Sequence, residues 1–287
     1  MKVLLIGAGY CARRWLALGA RTGEAAPPRL AATIRDVSQA PRYAARDIRP
    51  VPFMISALRM ALEDADAVIV SVPPGEAGDP VMKMLSDPPR GARRIVYLST
   101  IGVYGDRSGA WIDEDSEISP HSDRSKARAV AEERWTDWGD RLGAPVDLLR
   151  LAGIYGPGRN ALQQLRAGTA KRVVKSGQVF NRIHVDDIAS AITACLSGKT
   201  DGGPLIVADD EPAPPQDVVA YAAGLMGVEP PPEIPFDQAD LSPMGASFYA
   251  ECKRASNTRL RDLIGPLAFP TYREGLSALW AAGEGKA

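Results

Sequence analysis

Histidine is almost missing from the 287-residue sequence, with two residues, and cysteine is scarce, with three. His121 and His184 have no Cys or carboxylate at the spacing of a zinc site, so no structural metal is expected. Cys11, Cys195 and Cys252 are scattered and odd in number, which speaks against a disulfide framework and for a reducing compartment. Net charge is lacking too. Lys plus Arg is 34 against 35 for Asp plus Glu, and no basic run interleaves with aromatics, so neither nucleic acid nor an anionic membrane is an expected partner. Long apolar runs are absent. AVIVSV (67–72) is strand-length, and the apolar run of MKVLLIGAG stops at Gly7, too soon for the core of a signal peptide. These absences leave a soluble, cytoplasmic chain of one large α/β domain, alone or with a smaller appendage.

What is present is an alternation. Strand candidates are KVLLIG (2–7), LAATIR (30–35), IRPVPF (48–53), DAVIVSV (66–72), RRIVYLST (93–100), PVDLLRL (145–151) and GPLIVAD (203–209). Two prolines make 48–53 an edge or irregular strand. Helical character lies between them, over 13–21, 55–64, 80–87, 122–140, 161–168 and 185–197, and again over 215–227 and 257–265. On the long helix, Ala127, Val130, Ala131 and Trp135 are expected on one side. Strands alternating with helices predict a doubly wound parallel sheet, the Rossmann arrangement. The sheet domain is expected over 1–156, with 181–210 returning to it, and a small C-terminal substrate lobe over 157–180 and 211–280. The tail 281–287 is expected to fray.

The first strand runs into Gly7-Ala8-Gly9-Tyr10-Cys11-Ala12, a G-x-G-x-x-A dinucleotide fingerprint. Gly7 would permit the tight turn, Gly9 a close approach of backbone to pyrophosphate, and Ala12 close packing of helix on strand. The helix start then offers free N–H groups to the phosphates. At the end of the second strand Arg35 precedes Asp36. Arg suits a ribose 2′-phosphate, so NADP is favoured and NAD remains open; the alternative is a solvated Arg35 with Asp36 capping a turn. Ser71, Val72 and Pro73, after the fourth strand, would form the cofactor wall.

Four further segments fall in order: LSTIGVYG (98–105), DLLRLAGIYGPGRN (147–160), NRIHVDDIASAI (181–192) and GGPLIVADDEPAPPQDVVAYAAGLMG (202–227). With ATIRDV at the second strand end, these make the chain resemble the extended short-chain dehydrogenase/reductases of the NAD-dependent epimerase/dehydratase type. The resemblance implies a strand-end Ser/Thr, which Thr100 matches, and a Tyr four residues before a Lys on one helix. Lys126 matches that Lys and would hold the nicotinamide ribose. The Tyr position falls on Ser122. A phenol has a pKa of about 10, within reach of a neighbouring ammonium, whereas an aliphatic alcohol is far less acidic. Ser122 is therefore no equivalent base, and a water or another side chain would have to act in its place; with Ser119 and Pro120 it also reads as a plain helix start.

Two functions follow. One is an NADP-dependent oxidoreductase or sugar-nucleotide epimerase with altered acid/base equipment, acting on a small molecule that is phosphorylated or nucleotide-linked. Arg159, Asn160 and Arg182 lie in segments that would face it. The other is a non-catalytic NADP-binding sensor or assembly factor. The retained Thr100 and Lys126 favour the first and the lost Tyr favours the second. Either a monomer or a homodimer is compatible with the sequence.

Overall fold

The computed structural model describes residues 1–24 and 26–286. Seven strands form one sheet: β1 (Lys2–Ile6), β2 (Arg29–Ile34), β3 (Ile48–Pro52), β4 (Ala67–Val70), β5 (Arg94–Thr100), β6 (Val146–Leu151) and β7 (Gly203–Val207). Their order is β7-β6-β5-β4-β1-β2-β3. The β1–β2, β1–β4, β2–β3 and β4–β5 pairings are all parallel. The sheet thus winds outward in both directions from β1, and the doubly wound expectation holds. β3, with Pro50 and Pro52, is an edge strand, where a missing N–H is tolerated.

Backbone contacts divide the chain into two compact units. The first comprises Met1–Val103, Asp123–Arg150 and Ile188–Leu205; the second comprises Tyr104–Ser122, Leu151–Asp187 and Ile206–Ala287.

In the first unit, Leu4, Ile6, Val68, Val70 and Ile95 project from the strands onto Leu58 and Leu62 of the helix Ile55–Asp64 and onto Trp135 and Trp138. These side chains are almost wholly removed from water, and hydrophobic burial of this kind is the main stabilising term. Helix α1 (Tyr10–Ala17) starts three residues earlier than its hydropathy suggests and stops sooner, because Gly19 follows with φ +93° and turns the chain out of the helix.

The long helix (Asp123–Leu142) corrects one expectation. Its buried residues are Ser125, Arg128, Ala131, Glu132, Trp135, Trp138 and Gly139, whereas Val130 is 47% exposed. Two charged residues sit inside because each has partners there. Arg128 donates to the Leu98 carbonyl at 2.8 Å and the Tyr97 hydroxyl at 3.2 Å. Glu132 meets Arg150 Nη2 at 2.8 Å and accepts from the Ser99 hydroxyl. Burial pushes the Tyr97 phenol up to about 12.

The second unit has its own core, in which Tyr155, Leu162, Val218, Ala222, Tyr272, Leu276 and Leu279 pack together. The helix Tyr272–Ala281 belongs to it and begins with a capping box between Thr271 and Glu274. Short parallel pairs join Gly153–Tyr155 to Arg182–His184, Arg172–Val174 to Glu233–Pro235, and Trp111–Ile112 to Arg254–Ala255. Asp209 is 2% exposed, with one carboxylate oxygen accepting from the Glu211 amide at 3.3 Å. Its other oxygen finds no hydrogen-bond partner among the described residues. Burial pushes this carboxyl up to about 8, against the opposing pull of Arg182.

Two expectations follow. Glu132→Ala leaves Arg150 in the core without its carboxylate and should cost about 3–5 kcal/mol in urea unfolding; a loss under about 1 kcal/mol would mean that the ion pair does not hold the helix. For Asp209, the folded chain keeps a proton that the unfolded chain releases near pH 4, so stability falls as pH rises from about 4 to about 8 and levels above it. Asp209→Asn removes that penalty. Its melting temperature relative to the parent should rise by about 2–4 °C or more between pH 5 and pH 8.5, the shift that ~1 kcal/mol gives in a chain of this size. A difference that does not change with pH would show that Asp209 ionises normally.

Candidate functional site

In a doubly wound sheet, ligands bind beyond the carboxyl ends of the strands where the winding reverses. Here that point lies between β1 and β4. Gly7 follows β1 and has φ +81°, a conformation that side chains disfavour. A Cβ at Gly7 would lie 2.5 Å from Val72 Cγ1, so no larger residue fits without displacing the strand end beside it. The Gly7 amide donates to Thr33 Oγ1 at 2.9 Å, and its carbonyl accepts from Ser71 Oγ at 2.6 Å. The ends of β1, β2 and β4 are thereby tied to one residue.

Gly9 is the N-cap of α1, with no side chain capping it and no acidic residue in the first turn. Early amides of such a helix lack intrahelical acceptors. Cys11 and Ala12 are buried and hold α1 on the sheet, while Gly9 is exposed and Tyr10 half-buried. Of the predicted wall, Ser71 and Val72 touch the turn as described, whereas Pro73 is exposed just beyond them. The features a dinucleotide pyrophosphate needs are present on this chain: glycines at both ends of the turn, a helix start whose N-cap residue is glycine, and no acidic residue in the first turn of that helix.

Arg35 is exposed immediately after β2 and makes no ion pair or hydrogen bond among the described residues. Asp36 beside it is engaged, accepting from the Ser38 amide at 2.9 Å and the Ser38 hydroxyl at 2.6 Å. These bonds hold its carboxyl below the usual range.

Thr100 ends β5, and its Oγ1 accepts from the Gly102 amide at 3.1 Å, which leaves the hydroxyl proton to be donated elsewhere. A Cβ on Gly102 would lie 2.9 Å from Ser125 Oγ and 3.4 Å from Thr100 Oγ1, so the strand end and the first turn of the long helix meet closely here. Lys126, next to Ser125, is exposed, with Nζ 3.6 Å from Asp123. An ion pair this exposed is weak and leaves the ammonium available. Ser122 directly precedes the helix, at its cap position.

The sequence reading missed several groups. Thr33 carried no signal, because its role is to accept from a turn 26 residues away. Asp79 caps the helix Pro80–Met84, accepting from Val81 and Met82 amides at 2.8 and 3.2 Å, and also accepts from the Trp135 indole at 3.0 Å. The Asp-Pro pair marks that cap, but nothing local marks the indole. Asn160 is committed to structure, capping the helix Ala161–Arg166 and donating to the Gly156 carbonyl and Glu284. Arg182 donates to the Phe180 and Ala213 carbonyls. A hollow of about 590 Å3 lined by Lys2, Arg29, Arg49 and Asp64 lies at the amino ends of β1–β3, the opposite end from the glycine turn. Among the described residues no cluster of His, Cys, Asp and Glu is placed to hold a metal, and no helix is long and apolar enough to cross a membrane.

Residues 81–207 match the family model described as NAD dependent epimerase/dehydratase family. Protein YeeZ of Escherichia coli (strain K12) is 33% identical over 182 residues, which are 60% of this chain and 63% of that protein. The 3-diazoavenalumate denitrifying reductase of Streptomyces sp is 30% identical over 208 residues, 65% of this chain and 64% of the reductase. The chain thus spans less than two thirds of either relative. A solved structure, a conserved protein of Silicibacter pomeroyi DSS described as functionally unknown, is 38% identical with a TM-score of 0.84, covering 99% of both chains. The family match takes in β5, the helix carrying Lys126 and the two later strands of the sheet, and over that stretch the chain is similar to the NAD-dependent epimerase/dehydratase family.

Proposed function

We propose that the chain binds a nicotinamide dinucleotide, NADP in preference to NAD, and works on a small phosphorylated or nucleotide-linked substrate as an oxidoreductase or sugar-nucleotide epimerase. The observation that carries the reading is the turn at Gly7, where the backbone conformation and the Val72 side chain leave no room for a Cβ, leading into a helix whose N-cap is Gly9. Gly7, Gly9, Tyr10, Cys11 and Ala12 would cradle the pyrophosphate, with Ser71, Val72 and Pro73 as the wall beside it. The nicotinamide, when bound, supplies or accepts a hydride. Lys126 would bind its ribose and Thr100 would donate to the substrate oxygen. The substrate side is assigned to 157–180 and 211–280.

The preference for NADP rests on two neighbours. Asp36, the acid placed to accept from a ribose 2′-hydroxyl, already serves Ser38 twice. Arg35 is left with a free planar fork, the shape that matches a 2′-phosphate. A second reading, a non-catalytic NADP-binding sensor or assembly factor, is favoured by Ser122, since no neighbouring ammonium brings an alkyl alcohol into the range of a phenol.

Calorimetry with NADP and NAD tests the cofactor, and NADP should bind more tightly. Arg35→Asp should weaken NADP by about 1–3 kcal/mol, the range for charge-assisted hydrogen bonds, and NAD much less. Equal losses would remove Arg35 from the 2′-phosphate site, and binding of neither dinucleotide would overturn the reading. NADPH consumption with 9,10-phenanthrenequinone as carbonyl probe separates the enzyme from the sensor.

A further inference from the structure

We infer that Ser38 sets which dinucleotide the chain takes, by holding the Asp36 carboxylate away from a ribose 2′-hydroxyl. The inference rests on the cofactor reading above. It makes Ser38 a positioning residue, acting through Asp36 and touching neither cofactor nor substrate.

Every group involved lies in the first unit. β1 and β2 pair in parallel, with Leu5 beside Ala32, and the Gly7 amide reaches Thr33 Oγ1 at 2.9 Å. The end of β2 is therefore held beside the glycine turn, and Arg35 and Asp36 follow it directly. In dinucleotide folds an acid after this strand accepts from the ribose 2′-hydroxyl, and an Arg there serves a 2′-phosphate instead. This chain carries both residues side by side, so the pair alone does not settle the choice.

Ser38 settles it. Its amide donates to Asp36 Oδ1 at 2.9 Å and its hydroxyl to Asp36 Oδ2 at 2.6 Å. The second distance is that of a charge-assisted bond. Each carboxylate oxygen thus has its own donor, both from one residue, and the side chain is folded over the short 3₁₀ turn Val37–Gln39. It has no other hydrogen bond or ion pair among the described residues. To serve a ribose, Asp36 has to give up the Ser38 hydroxyl. The same lock favours a 2′-phosphate, because two donors offset the negative charge that would repel it.

The two bonds differ in what a substitution can remove. The amide belongs to the backbone and stays in any non-proline variant at position 38, whereas the hydroxyl leaves with the side chain. Truncation therefore frees Oδ2 while Oδ1 stays anchored, and the carboxylate can pivot toward a ribose with its turn intact. Residues 35–39 are exposed, so no core packing changes.

Calorimetry of NAD and NADP binding to the whole chain tests the assignment. Ser38→Ala should tighten NAD about tenfold, the lower end for a hydrogen bond to a charged group, and should not tighten NADP. Ser38→Thr keeps a hydroxyl and should keep the parent's affinities for both. In an Asp36→Ala background, Ser38→Ala should bring no gain for NAD, since the freed acid is what produces it. Without any dinucleotide, Ser38→Ala should move the Asp36 carboxyl up toward the ordinary carboxylate range in a 13C NMR titration, because the hydroxyl contributes most to lowering it. Unchanged NAD affinity in Ser38→Ala, with the parent binding dinucleotide, overturns the assignment and leaves the cofactor reading standing. So does a variant that only loses NADP, which would put Ser38 on the phosphate itself, or an unmoved Asp36 titration. If the parent binds neither NADP nor NAD, the cofactor reading falls first, and the assignment with it.

Discussion

Gly7 has φ +81° beneath the Val72 side chain, and its two backbone groups bond to Thr33 and Ser71. That one residue sets the distance between the ends of β1, β2 and β4. A side chain there would face strain from the backbone and a Cβ only 2.5 Å from Val72 Cγ1 at once, and the Val72 side chain would have to move. The helix that follows inherits its position from this turn. Its buried Ala12 lies against the sheet, and its first turn begins at Gly9 just beyond the end of β1. The site is thus a consequence of how closely the backbone can pass at the reversal of winding.

A second constraint acts at the end of β5. Ser99 points inward to Glu132, and Thr100, one residue on, emerges at the strand end with its oxygen on the Gly102 amide. Arg128 holds the Leu98 carbonyl from the same helix. Taking these charges out of water is expensive, and a hydrophobic replacement of equal volume would stabilise at least as well. What the pairing provides is register. Sliding the helix by one turn would leave Glu132 and Arg128 facing apolar strand, at a cost of several kcal/mol for each unpaired charge. Ser125 and Lys126 are fixed relative to Thr100 by the same lock.

How much of this is legible in the sequence follows from the range of the interactions. β1, β4 and β5 contain continuous apolar runs, VLLI, AVIV and IVYL, because a covered parallel sheet buries both faces. They and their alternation with helices could be read directly, as could the glycine turn, whose spacing is local. The buried face of the long helix could not. Hydropathy points to Ala127 and Val130, but the helix turns Arg128 and Glu132 inward, since their partners are Leu98, Tyr97, Ser99 and Arg150 on other elements. Asp36 could be read either as a ribose acceptor or as a cap, and only the Ser38 geometry decides. The Thr271–Glu274 capping box was written in the sequence as T-Y-R-E and marks a helix that hydropathy alone does not reveal. The strand pairs of the second unit are two or three residues long, too short for any period to show.

The enzyme and sensor readings share the turn at Gly7 and part at residue 122. A helix-borne phenol serves as both donor and proton source, because its pKa lies within reach of a lysine. Ser122 can do neither well, being short and weakly acidic. The enzyme reading therefore needs a water or another side chain to supply the proton, and what it retains is the Thr100 hydroxyl at the end of β5 and the exposed Lys126 ammonium; the sensor reading needs neither.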